Sequence, residues 1–375
     1  MTLSWISVNA NNGSVIADLP TLHSGGALKK TLMRYESQTV SLPPWDPEDE
    51  RTMPPPNWRQ ATRKGSVFLV ALSEPEENEH RGVPLWGGMV VRRTRAAGGG
   101  VQMTLATAEA YLDRVYVGDH TFTGIPQNTI VETLVEEYAA TTAGKRGLPI
   151  RVEVIGGTGQ PRDHSYADTE DKTLYSVLSA LSGLLGGPEW TVRWEWINEQ
   201  QLGLVLTVSD RIGSAPPAGI GPAAQFYLPG AVSHAELVEG YGADEGANDI
   251  IAVSSGVEDA RPQSPRQKND TDLRPRFEYR WTPSTEIKDV TTLTSHAQRA
   301  LAAMKDGSLA LALTANREDA PVLGRDWQIG DDIGFDIKAP EFPDGLKGTA
   351  RCVGWELTDT TVTPLIDVSN IEGVE

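Results

Sequence analysis

Apolar residues recur at period two along most of this chain, in short runs, and glycine or proline cuts off nearly every run. That period puts successive side chains on opposite faces of a strand, so the pattern forces many short strands rather than a helical bundle. Residues 190–208 are the most regular case. Trp190, Val192, Trp194 and Trp196 alternate with Thr191, Arg193 and Glu195, and after a short polar turn Leu202, Leu204, Leu206 and Val208 alternate again. Two such runs predict a hairpin with one strongly apolar face. Residues 65–72 (GSVFLVAL) and 85–93 (LWGGMVVRR) predict two more strands, and the paired glycines of the second mark a bulge or a bend. Val101, Met103 and Leu105 complete a hairpin after the turn at Gly98, Gly99 and Gly100. Glycine (37) and proline (25) fill about one position in six of 375, above the usual roughly one in eight, as a turn-rich β protein requires.

Helical periodicity is confined to three places. Thr129-x-x-Glu132 has capping-box form, followed by Ile130, Val131, Leu134, Val135 and Tyr138 up to Gly144. A second helix opens near Asp168, shows Leu174, Val177, Leu178, Leu181 and Leu185, and stops at Gly186, Gly187 and Pro188. The third spans about residues 291–305, with Leu293, Ala297, Ala300, Leu301 and Met304 inward, and leads straight into the strand of Leu309, Leu311 and Leu313. Further strands fall at 150–155, 332–337, 351–357 and 361–368. The fold class is therefore α+β and β-rich, with a helix-containing middle, and the last third reads as one helix laid on a small barrel. Residues 210–222, 240–248 and 254–275 are turn-rich connectors.

Charge narrows the function. Fifty-one acidic against 33 basic residues give a net charge of −18, which excludes a general DNA or RNA binder, since that affinity comes from cations neutralising phosphates. One cysteine, Cys352, excludes disulfide frameworks and all-cysteine metal sites. No apolar run approaches the roughly 18 residues that span a bilayer, and residues 1–10 lack a secretion signal's basic and apolar segments, so a soluble chain is expected.

Catalytic templates fail by position. There is no Gly-x-Ser-x-Gly, no His-Glu-x-x-His and no Walker A sequence. Histidines 23, 80, 120, 164, 234 and 296 lack ligand spacing, although His164 stands beside a carboxylate, Asp163. Gly240, Gly242 and Gly246 miss the dinucleotide fingerprint by one residue, and the acidic loop at 244–249 lacks the alternating ligands of an EF-hand. A glycosidase needs two carboxylates about 5 to 10 Å apart, and the sequence does not reveal which acids meet. The expectation is no enzyme, no catalytic residue, no cofactor and no metal. Trp190, Trp194 and Trp196 share one strand face, which either forms a sugar-stacking platform or packs beneath the two preceding helices; the helices' need to bury Leu134, Leu178 and Leu181 favours packing. Residues 41–63 hold prolines 43, 44, 47, 54, 55 and 56 and an acidic knot at Asp46, Glu48, Asp49 and Glu50, which predicts a projecting loop. Trp45 and Trp58 within it are candidate interface anchors, because an aromatic on a proline-stiffened loop orders at low entropic cost.

Several segments carry a family resemblance. Tyr111-Leu-Asp-Arg before a helix, Asp171-Lys-Thr-Leu-Tyr-Ser-Val-Leu, Glu189-Trp-x4-Glu-Trp, Val208-Ser-Asp-Arg-Ile-Gly and the C-terminal Asp326-Trp-Gln-Ile-Gly-Asp-Asp-Ile together resemble the minor tail proteins, or baseplate hubs, of siphophages infecting actinobacteria. The resemblance covers most of residues 80–370 and is weakest over the first 80. It implies two related small β-barrels with an inserted α+β domain: a first barrel from 1–115 with 209–250, the insert at 116–208, and a second barrel at 251–375. It further implies a homotrimeric, structural virion protein, made in the host cytoplasm. Two barrels in each of three chains form a pseudo-sixfold ring, joining the tail tube, distal tail protein and tape measure protein to threefold tip or fibre proteins and passing DNA without specific binding. Acidic residues lining the lumen would repel phosphate. Because the chain ends at Glu375 soon after the last predicted strand, a separate protein is expected to supply the tip. The competing expectation is a carbohydrate- or receptor-binding tail protein that uses exposed tryptophans, and the third is a peptidoglycan-cleaving enzyme.

Overall fold

The computed structural model describes residues 3–46, 48–49, 53–75, 80–142, 144–184, 186–217, 219–255, 261–271, 273–283 and 287–367. Pro47 and Glu50 of the projecting loop, Leu185 of the second helix, Val368 and Glu375 lie outside them.

The first 107 residues form eight strands and one short helix: β1 (Ser4–Asn9), β2 (Val15–Asp18), β3 (His23–Ser24), β4 (Leu28–Thr31), β5 (Ser37–Leu42), α1 (Trp58–Ala61), β6 (Val67–Leu72), β7 (Pro84–Ala96) and β8 (Gly100–Thr107). Seven of them make one sheet in the order β2-β1-β6-β7-β8-β5-β3. The run VFLVAL of β6 does not alternate because both of its faces are covered. Val67, Leu69 and Ala71 enter one core while Phe68, Val70 and Leu72 enter another. The glycines expected to bulge β7 do something else. A Cβ on Gly87 would lie 2.4 Å from Trp194 Nε1, and one on Gly88 would lie 2.8 Å from Leu105 Cβ, so both give room to packed side chains. The register shift of β7 against β8 falls later, between Val90 and Arg92.

The middle unit comprises α2 (Glu109–Leu112), β9 (His120–Pro126), α3 (Gln127–Tyr138), β10 (Ile150–Val154), β11 (Pro161–Tyr166), α4 (Leu174–Ser182), β12 (Glu189–Asn198) and β13 (Gln201–Ser209). β13 lies between β10 and β12, and β9 pairs with β11. The predicted capping box is not used. α3 starts three residues earlier, with Pro126 in place of Thr129 at the N-cap, and its first N–H groups are satisfied by the carbonyls of Gln160 and Thr158 on a neighbouring loop. α4 starts at Leu174 instead of near Asp168, capped by the Thr173 hydroxyl, which accepts from Ser176 N at 3.2 Å.

The remainder holds β14 (Gln225–Leu228), β15 (Val232–Gly240), β16 (Asp249–Ala252), β17 (Gln267–Lys268), β18 (Glu278–Trp281), α5 (Val290–Met304), β19 (Ser308–Asn316), β20 (Asp332–Ala339), β21 (Phe342–Leu357) and β22 (Thr361–Asp367). The second large sheet runs β14-β20-β21-β22-β19-β15, and β4 joins it by pairing with β21. Two expectations change here. Residues 225–240, assigned to the first barrel, pair with β20 and β19 of the C-terminal sheet, because Phe226 and Val232 complete its apolar face. α5 was expected on a barrel; its Leu293, Ala297 and Met304 pack instead on Ile250 and Ala252 of the small sheet β17-β16-β18.

The two large sheets share one strand order. With β1 set aside, the first reads β2-β6-β7-β8-β5-β3 and the second β14-β20-β21-β22-β19-β15, which in chain order is the same permutation of six strands. Directions agree too. β14 is parallel to β20, and β2 runs parallel to β6 because each is antiparallel to β1. Every other neighbouring pair is antiparallel in both sheets. No ladder closes either sheet into a ring among the described residues. In each, however, the two outer strands are consecutive in the chain, separated by four residues (β2 to β3) or three (β14 to β15). At roughly 3.5 Å per residue such connectors reach less than about 18 Å, so both sheets must curl until their edges meet at one corner. One core draws on both sheets, with Trp5, Leu69, Trp86 and Leu105 meeting Phe226, Leu311, Phe335 and Trp355. A second core joins β1 and β6 to the middle unit.

Candidate functional site

The tryptophan face of β12 is packed. Trp190 is fully buried and meets Tyr175 edge-on at a centroid distance of 5.9 Å; Trp194 is 8% exposed and meets Phe68 of the first sheet edge-on at 5.0 Å. Trp196 donates its indole N–H to Gly82 O at 3.0 Å beneath the Arg81 guanidinium. The arrangement leaves no coplanar sugar-stacking surface, so the platform expectation is overturned by burial. Trp45 and Trp58 come together, with centroids 5.3 Å apart and half-buried against the core shared by the two sheets, and Arg59 lies 5.6 Å over the Trp58 ring. They brace the loop internally and leave their outer faces in solvent.

Where the two sheets and the middle unit converge, a cavity of about 590 Å³ is lined by Lys30, Trp86, Glu109, Thr191, Trp194 and Arg211, among others. β4 delivers Lys30 into it. The Lys30 ammonium contacts Glu109 Oε1 and donates to Val192 O at 2.8 Å, and Glu109 Oε1 also accepts from Val192 N at 3.3 Å. Both residues are buried (Lys30 9% and Glu109 1% exposed), and Glu109 Oε2 has no partner. Nearby, Arg351 forks onto both oxygens of Glu189 and donates to Ile212 O at 2.7 Å, while Glu189 Oε2 accepts from Ile212 N at 2.8 Å. Trp86 Nε1 donates to Lys29 O at 2.9 Å. The Lys30, Lys29 and Arg351 contacts tie β4 or β21 to another unit. Among the described residues lining this junction, the fully buried side-chain polar atoms without a partner are Glu109 Oε2 and Thr191 Oγ1.

The titratable groups singled out by sequence do not assemble into reaction machinery. Burial pushes the Cys352 thiol up to about 12, so it is no thiolate at neutral pH. His164 is held below its usual range by burial and then by Arg162, and its ring stacks parallel to Tyr166 at 6.0 Å. Asp163 turns away to accept Gly124 N at 2.6 Å. Among the described residues, no three His, Cys, Asp or Glu side chains converge as metal ligands do. Sequence reasoning missed Lys30–Glu109 and Arg351–Glu189, whose partners are 79 and 162 positions apart; the one available signal was that Lys30 shares a strand face with Leu28.

No protein-family model matches the sequence, and no curated protein matches it. Solved structures do. The 43 kDa tail protein of prophage MuSo2 from Shewanella oneidensis superposes with a TM-score of 0.58 at 11% identity, over 97% of this chain and 98% of that one. A tail protein of Neisseria meningitidis gives 0.55 at 12% identity, over 96% of each chain. The fold is that of phage tail proteins. It also matches a chain of the Francisella PdpA–VgrG complex, with a TM-score of 0.54 at 7% identity over 99% of this chain and 58% of that one. These superpositions include the first 80 residues, where the sequence resemblance was weakest.

Proposed function

We propose that this chain is a structural component of a phage tail tip, a hub that assembles as a homotrimer and catalyses nothing. The observation that carries the reading is the shared strand order of the two large sheets. A chain holding two copies of one unit presents six similar units when three chains close around an axis, and so can match a sixfold tube on one face and a threefold tip on the other. The two sheets are the two small barrels of the hub, the unit at 109–209 is its insertion, and residues 225–240 belong with the second barrel. Its neighbours are the tail tube, distal tail protein and tape measure protein on one side and tip or fibre proteins on the other, in a phage of the actinobacterial siphophage kind. The loop of Trp45 and Trp58 docks on one of them. Part of the −18 net charge faces the channel, where it keeps ejected DNA from adhering.

Native mass measurement of the purified chain, alone and with its tail-tube protein, tests this. A trimer that binds the tube is expected; a monomer that ignores the tube and binds glycan overturns the reading. Trp45→Ala should weaken binding to a neighbouring tail protein without lowering the thermal midpoint of the chain alone by more than a few degrees.

A further inference from the structure

The duplicated strand order can be aligned residue by residue at one place. Gly65 donates its N–H to Val90 O at 2.7 Å, and Gly330 donates to Cys352 O at 2.8 Å; each glycine stands two residues before the equivalent strand, β6 or β20, with positive φ (66° and 92°). The long strand is then bulged at once in both copies, between Val90 and Arg92 in β7 and between Cys352 and Gly354 in β21. Val90 therefore corresponds to Cys352, and residues 92–95 to 354–357.

The two segments differ in one respect. Residues 354–357 have β22 on one side and β4 on the other, in the register Gly354↔Thr31 to Leu357↔Leu28, with Trp355 and Leu357 buried and Lys29 paired to Glu356. Residues 92–95 have β8 on one side and, among the described residues, no strand on the other. Only the loop of α1 comes near, its Arg59 and Thr62 carbonyls taken by the Arg93 guanidinium at 3.0 Å. An open strand edge is a template for another chain. This one is cationic. Arg92 and Arg95 are exposed on it with Arg59, Arg63 and Lys64 beside it, none of the five is in an ion pair among the described residues, and Val91 next to them is 51% exposed. Five such cations on a chain of net charge −18 select an acidic partner.

We infer that the open edge of β7 at residues 92–95 is the seat of a second copy of this chain, whose exposed acidic turn at Asp244 and Glu245 lands on it. β4 begins at Leu28, four residues after β3 ends at Ser24; β15 holds the place of β3 in the second sheet, and four residues after its end at Gly240 stands Asp244. The contact takes between chains the place that β4 takes within one, made by a turn closed on Gly242 O instead of a strand, with Asp244 near Arg95 where Leu28 stands opposite Leu357. It is head-to-tail, the kind of contact that makes a ring of three where each copy is turned by a third of a circle from the last. The inference rests on the trimeric reading above and supplies its interface.

Cysteine pairing tests it, since Cys352 is the one native cysteine and is buried. A turn seated on the edge brings facing Cα atoms within the roughly 4.4–6.8 Å that a disulfide spans. Mild oxidation of the Arg95→Cys/Asp244→Cys variant should give a reducible ladder ending at three chains, which neither single variant gives. Arg92→Glu/Arg95→Glu should raise the concentration needed for assembly at least tenfold, and adding Asp244→Arg/Glu245→Arg should restore it; unchanged thermal melting of these surface variants confirms that they fold. A wild-type trimer with no ladder and no response to charge reversal overturns the edge assignment and leaves the hub reading intact. A wild-type chain that stays monomeric overturns both.

Discussion

Replacing Lys30 by methionine removes one charge of a buried pair and keeps most of the side-chain volume. Glu109, 1% exposed, would retain only the 3.3 Å bond from Val192 N, with Oε2 already partnerless, and Val192 O would lose its 2.8 Å donor. An uncompensated charge of this kind costs about 3–5 kcal/mol, whereas replacing both members by apolar groups of similar size is often neutral. With a urea slope of roughly 3 kcal/mol per molar, a loss of about 4 kcal/mol lowers the unfolding midpoint by about 1.3 M. Urea titration followed by tryptophan fluorescence reads this directly, because Trp86, Trp194 and Trp355 line the same junction. Lys30→Met/Glu109→Leu should regain most of the loss, a coupling visible only in the complete double-mutant cycle. If Lys30→Met shifts the midpoint by less than about 0.3 M, or if the double variant costs the sum of the singles, the pair does not hold the sheets together and the reasoning is wrong.

Gly87→Ala sets a methyl 2.4 Å from the Trp194 indole nitrogen and should cost about 1–3 kcal/mol, seen as a lower melting temperature with a red-shifted tryptophan emission. Thr173→Ala should cost about 1 kcal/mol by removing the α4 cap, measured by urea unfolding. His296 is held below its usual pKa by burial and then by Arg299, with Trp281 edge-on at 5.3 Å. Its folded value being depressed, the stability it contributes is complete above the unfolded value of roughly 6.5 and is lost as pH falls through the folded one. Protection factors in α5, which divide out the base-catalysed intrinsic rate, should therefore fall below roughly pH 6.5 in the wild type and change far less in His296→Phe.

Local pattern carried the secondary structure well where one face of an element meets a core. The β12–β13 hairpin, the inward residues of α5 and the burial of Trp190 beneath Tyr175 all follow from periodicity. It failed where a neighbour far along the chain decides. Gln160 and Thr158 carbonyls displaced the start of α3, and the Trp194 indole explains Gly87. The duplication was illegible because equivalent positions face different surroundings. Arg93 stands for Trp355 and Arg95 for Leu357, since one edge is covered within the chain and the other is open. The grouping of 225–240 with the wrong sheet has the same origin: β14 has four residues and β15 is largely exposed, and only their partners β20 and β19, about 75 to 110 residues later, tell where they belong.

With side chains of β6 set alternately into two separate cores, that strand is a party wall, and the helical insert bolted to its far side cannot swing. A pull on the insert is delivered straight to the curled sheet behind it. Mechanically the insert is a rigid outrigger, so a force applied to it would travel as displacement of the whole body rather than as bending of a joint.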